Sequence, residues 1–293
     1  MPPAPWTILN LIRWTDERFR KEGLNTPRLD AEVLLAEALG MDRVGLYTHF
    51  DQPLHPEELA RFKKLLQKRL RREPVAYIIG RQEFWSLTFK VTPDVLIPRP
   101  ETEILVTEAL KVLSSPARIA GGTFRILEMG TGSGAISVAL AGELPSASLV
   151  ATDLSAKALA VARENASRLG VDGQIQFVQG DLFAPLEEES AFELIVTNPP
   201  YIAEDDFPSL PPEVRESEPR LALDGGKDGL NFFRRALPRV GEFLNPGGWF
   251  LAEIGAGQDQ SVLKIAQENP VLDSFDFVPD LARIRRVFKA RKK

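Results

Sequence analysis

The chain has 293 residues, of which 44% are hydrophobic, a net charge of -5 and no cysteine. That length exceeds the usual single domain, so two domains are expected, and the apolar fraction is enough for a sizeable core. The missing cysteines exclude disulfides, thiolate zinc sites and a thiol nucleophile, and the acidic balance argues against a dedicated nucleic-acid binder unless a local basic face exists.

No apolar run approaches the ~18 to 20 residues of a membrane span. The start Met1-Pro2-Pro3-Ala4-Pro5 lacks the basic and apolar regions of a secretory leader, so a cytoplasmic protein without membrane association is expected. The two histidines, His49 and His55, flank a stretch that reads as a loop, without the spacing or further ligands of a metal site, and no metal is expected.

Residues 1–75 read as a small helical domain. Apolar residues fall at helical spacing in Ile8, Leu9 and Ile12, in Val33, Leu34 and Ala38, and in Leu59, Phe62, Leu66 and Leu70. Pro56 followed by Glu57 and Glu58 starts the last of these helices, with proline in the first turn and acids at the positive dipole end. The same helix carries Arg61, Lys63, Lys64, Lys68, Arg69, Arg71 and Arg72. Such a run reads as a solvated face, with contact to an acidic partner or to ribosomal RNA as the sharper alternative. Residues 76–98, on the β-type pattern at 84–91, read as a β-hairpin linker between two domains.

Residues 99–293 form the second domain. A helix is predicted over 102–113, then a loop punctuated by Ser115, Pro116, Gly121 and Gly122. Strands at 124–129, 149–152, 175–179 and 192–197 alternate with helices after Gly134 and over 156–169. A helix at 229–243, a strand at 248–253 and two closing strands at 275–278 and 286–290 follow, the last pair free to run antiparallel. The alternation predicts an α/β, doubly wound, mostly parallel sheet of seven strands. Arg291, Lys292 and Lys293 read as a solvated basic tail.

Glu128-Met129-Gly130-Thr131-Gly132-Ser133-Gly134 follows the first strand of that sheet and opens a helix, where glycines let backbone approach a ligand without Cβ clashes. Asp153 stands about 20 residues on, as a ribose-binding acid would. The pattern also fits a dinucleotide fingerprint, so a nicotinamide-dependent oxidoreductase is a competing reading. Three features favour S-adenosylmethionine: Glu128 directly before the glycines, Asp181 after the third strand, and Asn198-Pro199-Pro200-Tyr201 after the fourth. A pyrophosphate would be repelled by Glu128, whereas a methionine ammonium suits it. The expected cofactor contacts are Glu128, Gly130, Thr131, Gly132, Ser133 and Gly134 around the amino-acid part, Asp153 on the ribose, Asp181 and Leu182 at the adenine, and Asn198.

Asn198-Pro199-Pro200-Tyr201 ends a buried strand, and ligands of open α/β sheets bind beyond such ends. Two prolines remove two backbone donors, leaving the Asn amide, free carbonyls and an aromatic ring, a set suited to a planar NH2 group. Asn198, Pro199, Pro200 and Tyr201 are therefore the expected catalytic and substrate-binding residues, with the Asn198 oxygen and the Pro199 carbonyl accepting the two N-H groups and Tyr201 covering one face. Adenine and guanine carry such a group too, so a nucleic-acid N-methyltransferase is a further competing reading. Arg99 and Glu101 are candidate walls of the site, or a capping and salt-bridge pair.

Over nearly its full length the chain resembles the PrmC (HemK) family of protein-glutamine methyltransferases. The residues that carry the resemblance are Ile97-Pro98-Arg99-Pro100-Glu101-Thr102-Glu103, the Gly130 loop, Gly180-Asp181-Leu182-Phe183, Asn198-Pro199-Pro200-Tyr201-Ile202, Glu218-Pro219-Arg220-Leu221-Ala222-Leu223 with Gly225-Gly226-Lys227-Asp228-Gly229, and Pro246-Gly247-Gly248 with Glu253-Ile254-Gly255. The resemblance implies a Rossmann-like class I methyltransferase domain behind a substrate-holding helical domain, with S-adenosylmethionine as methyl donor. It also implies that the substrate is the glutamine of the Gly-Gly-Gln motif of class I peptide-chain release factors, with no obligatory nucleic acid, and it adds Glu218 to the expected substrate contacts. Two departures stand out: Glu128 where the family commonly has Asp, and Arg283 where glycine is frequent.

Overall fold

The computed structural model describes residues 6–114, 124–187 and 191–293. The expected features at Met1 to Pro5 and at Ser115, Pro116, Gly121 and Gly122 lie outside the described residues. Two compact units are present, Met1–Gly80 with Pro212–Ser217, and Arg81–Pro211 with Glu218–Lys293.

The first unit holds helices α1 (Ile8–Lys21), α2 (Pro27–Leu39), α3 (Arg43–Thr48), α4 (Pro56–Leu70), α5 (Val75–Ile79) and the short Pro212–Ser217 helix. Its core gathers Ile8, Ile12, Phe19, Leu34, Leu35, Phe62 and Leu66. The α4 basic run is not simply a solvated face. Arg69 is buried, pairs with buried Asp30 at 2.7 Å, and reaches Glu213 at 3.1 Å, while Arg61 donates to the Ala38 carbonyl. Those cations satisfy acids and carbonyls of their own unit, which side-chain charge along one helix could not reveal.

The second unit begins with hairpin β1 (Arg81–Phe84) and β2 (Leu87–Lys90). It turns through Trp85 and Ser86, both at positive φ (53° and 57°), as a two-residue hairpin turn requires. The hairpin is not a free linker. Phe84 and Phe89 are buried in the core of this unit, and Asn165 clasps Lys90 through both backbone groups, at 2.7 and 2.9 Å. Helix α6 (Glu103–Leu113) follows a single 3-10 turn at Pro100–Thr102.

The sheet comprises β3 (Arg125–Met129), β4 (Ser148–Asp153), β5 (Ile175–Gln179), β6 (Phe192–Thr197), β7 (Leu244–Glu253), β8 (Leu272–Pro279) and β9 (Arg285–Lys292), in the order β5-β4-β3-β6-β7-β9-β8. The pairs from β5 to β7 are parallel, and β9 runs antiparallel to both neighbours. Side chains alternate between the two faces: Ile126, Leu194 and Val196 pack with α6 and with α7 (Ala135–Glu143), whereas Leu127, Ile195 and Phe250 pack with α10 (Asn231–Phe243). Helices α8 (Ala156–Arg168), α9 (Pro212–Ser217, counted with the first unit) and α11 (Asp259–Gln267) complete the chain.

One further expectation is corrected. The C-terminal basic residues belong to β9 or abut it: Lys292 donates to the carbonyls of Gly241 and Leu244, each at 2.7 Å, and Arg291 lies over the Trp249 ring. Lysine stems reach from strand ends to helix-terminal carbonyls, where a cation is favoured. Arg283 sits at φ 64° in the β8–β9 turn, so the glycine-type conformation is kept with a side chain that favours it less.

Candidate active site

From β3 the chain winds outward through β4 and β5, then returns to place β6 on the other side of β3. At such a switch point the loops beyond the two central strands part and leave a crevice. A cavity of about 490 Å3 lies there, lined by the Glu128–Ser133 loop, Asp153, Asp181, Leu182, Asn198, Pro199 and Pro200.

The loop after β3 is stitched down by its own backbone. Gly130 and Thr131 both donate to the Thr152 carbonyl, at 2.8 and 3.0 Å. Gly134 has φ 82°, and a Cβ there would stand 3.2 Å from the Ala162 Cβ, so glycine lets the start of α7 close against α8. Glu128 is almost wholly buried and accepts at Oε2 from the Thr131 hydroxyl (2.7 Å), the Ser137 N-H (3.1 Å) and the Ser137 hydroxyl. Among the described residues no donor is bonded to its Oε1. Burial outweighs those hydrogen bonds and pushes the carboxyl up to about 7. A buried acid with a free oxygen on a cavity wall is a receptor for a cationic group, and the methionine ammonium of S-adenosylmethionine meets that requirement.

Asp153 takes the Gly132 N-H at 2.9 Å and the Ser155 N-H at 2.8 Å, and burial raises its carboxyl above the usual range. Both oxygens retain acceptor capacity for a diol. Asp181 is on the wall but paired with Arg235 at 2.5 Å, a cation that sequence spacing did not suggest. Leu182 adopts φ 50°, a strained turn for a branched side chain, and it borders the same cavity. The cofactor residues expected from sequence thus line one cavity, except Gly134, which packs against Ala162 instead.

On the other side, Asn198 donates through Nδ2 to Thr102 Oγ1 at 3.1 Å, and Thr102 donates to Glu253 Oε2 at 2.6 Å. The Tyr201 hydroxyl donates to Glu253 Oε1 at 3.2 Å. Thr102 and Glu253 are buried, and neither stood among the expected site residues. Burial raises the Glu253 carboxyl, against hydrogen bonds from Thr102 and Tyr201 and the charge of Arg286. Burial and Glu253 together push the Tyr201 hydroxyl far up, so it stays a neutral donor. The Tyr201 carbonyl is held by Gln258 Nε2 at 3.0 Å, and Gly229 passes so close that a Cβ would stand 2.3 Å from it.

Three expected substrate residues do not line the cavity. Tyr201 turns its hydroxyl to Glu253 instead of presenting a face to the cavity, because that buried acid needs a donor. Glu101 is exposed, and Arg99 pairs not with it but with Glu218 Oε1 at 2.5 Å. Glu218 is buried, also accepts from the Ile97 N-H at 3.3 Å, and so fixes Arg99, which does line the cavity. Among the described residues no group of His, Cys, Asp and Glu could hold a metal ion, and no helix is long and apolar enough to cross a membrane.

The PrmC N-terminal domain family matches residues 10–80, and the methyltransferase small domain family matches residues 107–212. In structure the chain is similar to a methyltransferase from Pyrococcus furiosus, with a TM-score of 0.51 and 18% identity over 78% of this chain and 98% of that one, a likeness of fold. In sequence it is 48% identical to a release factor glutamine methyltransferase from Geobacter sulfurreducens, over 93% of both chains. A second relative of the same description, from Rhodopirellula baltica, is 39% identical over 99% of this chain and 97% of its own length. Identity at that level along nearly the whole chain places it in the release factor glutamine methyltransferase family.

Proposed function

We propose that this chain methylates the side-chain nitrogen of a glutamine in class I peptide-chain release factors, at their Gly-Gly-Gln motif, with S-adenosylmethionine as donor. The observation that carries the chemistry is the Asn198 amide, whose NH2 is taken by Thr102 while its oxygen remains as an acceptor. The identity of the substrate is supported by the relatives' description. As part of this reading the chain works in the cytoplasm on a protein partner and needs no nucleic acid.

When bound, S-adenosylmethionine supplies an electrophilic methyl group on a sulfonium centre. Glu128 would hold its ammonium, Asp153 its ribose hydroxyls, and Asp181 with Leu182 its adenine end. An amide nitrogen is a poor nucleophile because its lone pair is delocalised into the carbonyl. Asn198 Oδ1 and the Pro199 carbonyl, each accepting one N-H of the substrate amide, fix that nitrogen and favour its pyramidal form. The two carbonyl dipoles also stabilise positive charge as it develops there. The nitrogen's extra proton becomes acidic as the bond forms and passes to water, so no histidine or lysine base is needed. Neither His49 nor His55 lines the cavity.

The test is incubation of the chain with methyl-labelled S-adenosylmethionine and, in separate reactions, release factors, tRNA and rRNA, followed by mass spectrometry. Label on the glutamine of the Gly-Gly-Gln motif is expected. Label on nucleic acid alone would overturn the reading.

A further inference from the structure

A threonine hydroxyl has one hydrogen to give and lone pairs with which to accept. Thr102 gives that hydrogen to Glu253 Oε2. Glu253 receives a second hydrogen from Tyr201 at its other oxygen, as an acceptor-only carboxylate does. Thr102 then has only acceptor capacity towards Asn198, and only the NH2 end of the planar amide can face it. The Asn198 oxygen is turned to the opposite side.

The opposite orientation would put the Asn198 NH2 against the NH2 of the substrate amide. Two donors facing each other make no hydrogen bond, so the clamp would lose one of its two acceptors. We propose that Glu253, acting through Thr102, is the positioning residue that decides which end of the Asn198 amide meets the substrate. The inference rests on the proposed function for its substrate, but the orientation is a property of the chain alone.

The network is local in space and remote in sequence. Thr102 comes from the 3-10 turn before α6, Asn198 from the end of β6, and Glu253 from the end of β7. Main-chain pairing of Thr197 with Ala252 keeps the last two elements in register. Side-chain networks of this kind hold a rotamer that isolated contacts would not.

Thr102→Val keeps the shape and removes the hydroxyl, Thr102→Ser restores the hydroxyl, and Glu253→Gln allows an NH2 to face Thr102. Thr102→Val is expected to lower kcat about 10- to 100-fold, with KM for the release factor and the calorimetric Kd for S-adenosylmethionine within about threefold of wild type. Thr102→Ser should recover most of kcat, and Glu253→Gln should lose about tenfold. A second readout needs no substrate. The Asn198 side-chain NH2 signal, identified by its loss in Asn198→Ala, should exchange with deuterium about tenfold faster in Thr102→Val than in wild type or Thr102→Ser.

An unchanged kcat in both Thr102→Val and Glu253→Gln would overturn the proposal, as would equal amide exchange in all the variants that retain Asn198. A wild-type chain that methylates no release factor refutes the substrate and leaves the exchange measurement to decide the orientation. Loss of cofactor binding in step with kcat would show a general structural role and overturn it too.

Discussion

Glu128 and Glu253 are both buried carboxyls near the C-terminal ends of parallel strands, and they are satisfied in opposite ways. The donors to Glu128 lie three and nine residues further along its own chain segment. Those to Glu253 come from residues 151 and 52 positions away. The Glu128 half of the cavity is therefore a self-contained strand, loop and helix start, whereas the Asn198 half exists only once several remote segments have docked. Burial raises both carboxyls, but only Glu128 keeps an oxygen without a donor among the described residues. An acid oxygen without a donor suits a cationic group, whereas a carboxyl with a donor on each oxygen supports neutral neighbours.

The sharpest way to separate the two halves is Asn198→Ala. It should lower kcat about 100- to 1000-fold, the loss of about 3 to 4 kcal/mol typical of removing one fixed polar group at a reacting centre. Calorimetry should find S-adenosylmethionine binding within a few-fold of wild type, since the Glu128 side is untouched. An equal loss of binding would erase the distinction.

Glu128→Gln attacks the other half. The carboxyl ordinarily titrates near 4.5 and in the folded chain near 7, so between those values the folded state keeps a proton that the unfolded state has lost. Stability from this group is fully present below pH 4.5 and lost as pH rises through 7, about 3 kcal/mol in all. Urea unfolding of the cofactor-free chain at pH 5 and pH 8 should show most of that fall, and Glu128→Gln should lack this part of it. A matching slope in the variant would assign the titration elsewhere. Nearby Asp153 also faces Glu128 and contributes in the same direction, so the difference between the two proteins is the quantity to read.

The smallest effect belongs to Glu101, which the sequence pairs with Arg99 and the structure leaves exposed. Glu101→Gln should change stability and kcat by no more than about 0.5 kcal/mol, checked by urea unfolding and steady-state kinetics. A loss as large as that of Asn198→Ala would return Glu101 to the site and weaken the division between the two halves of the cavity.

Much of this arrangement was legible beforehand. Hydrophobic runs at the right spacing announced all seven strands, and the three glycines between a strand and a helix announced the loop that lines the cavity, because both signals are confined to a few consecutive residues. Asn198 with its two prolines was legible for the same reason. The hairpin at Arg81–Lys90 is legible as a hairpin from its β-type pattern, but its two buried phenylalanines look the same in sequence whether they cover a domain or join two. In sequence Arg69 is one of a run of cations on a solvated face, and only the approach of Asp30 and Glu213 makes it an interior one.

By itself, then, the amino-acid sequence determined the alternating α/β architecture, the family, and the glycine loop and asparagine that the fold brings to one cavity, all of which rest on short-range pattern. Tertiary structure alone decided that Thr102 and Glu253 stand behind that asparagine, that Glu218 holds Arg99, and that Tyr201 serves Glu253. Hydrogen bonds between residues 50 to 150 positions apart leave no periodic trace in a chain, and which buried acid meets which donor is settled only when the strands and the turn before α6 have packed.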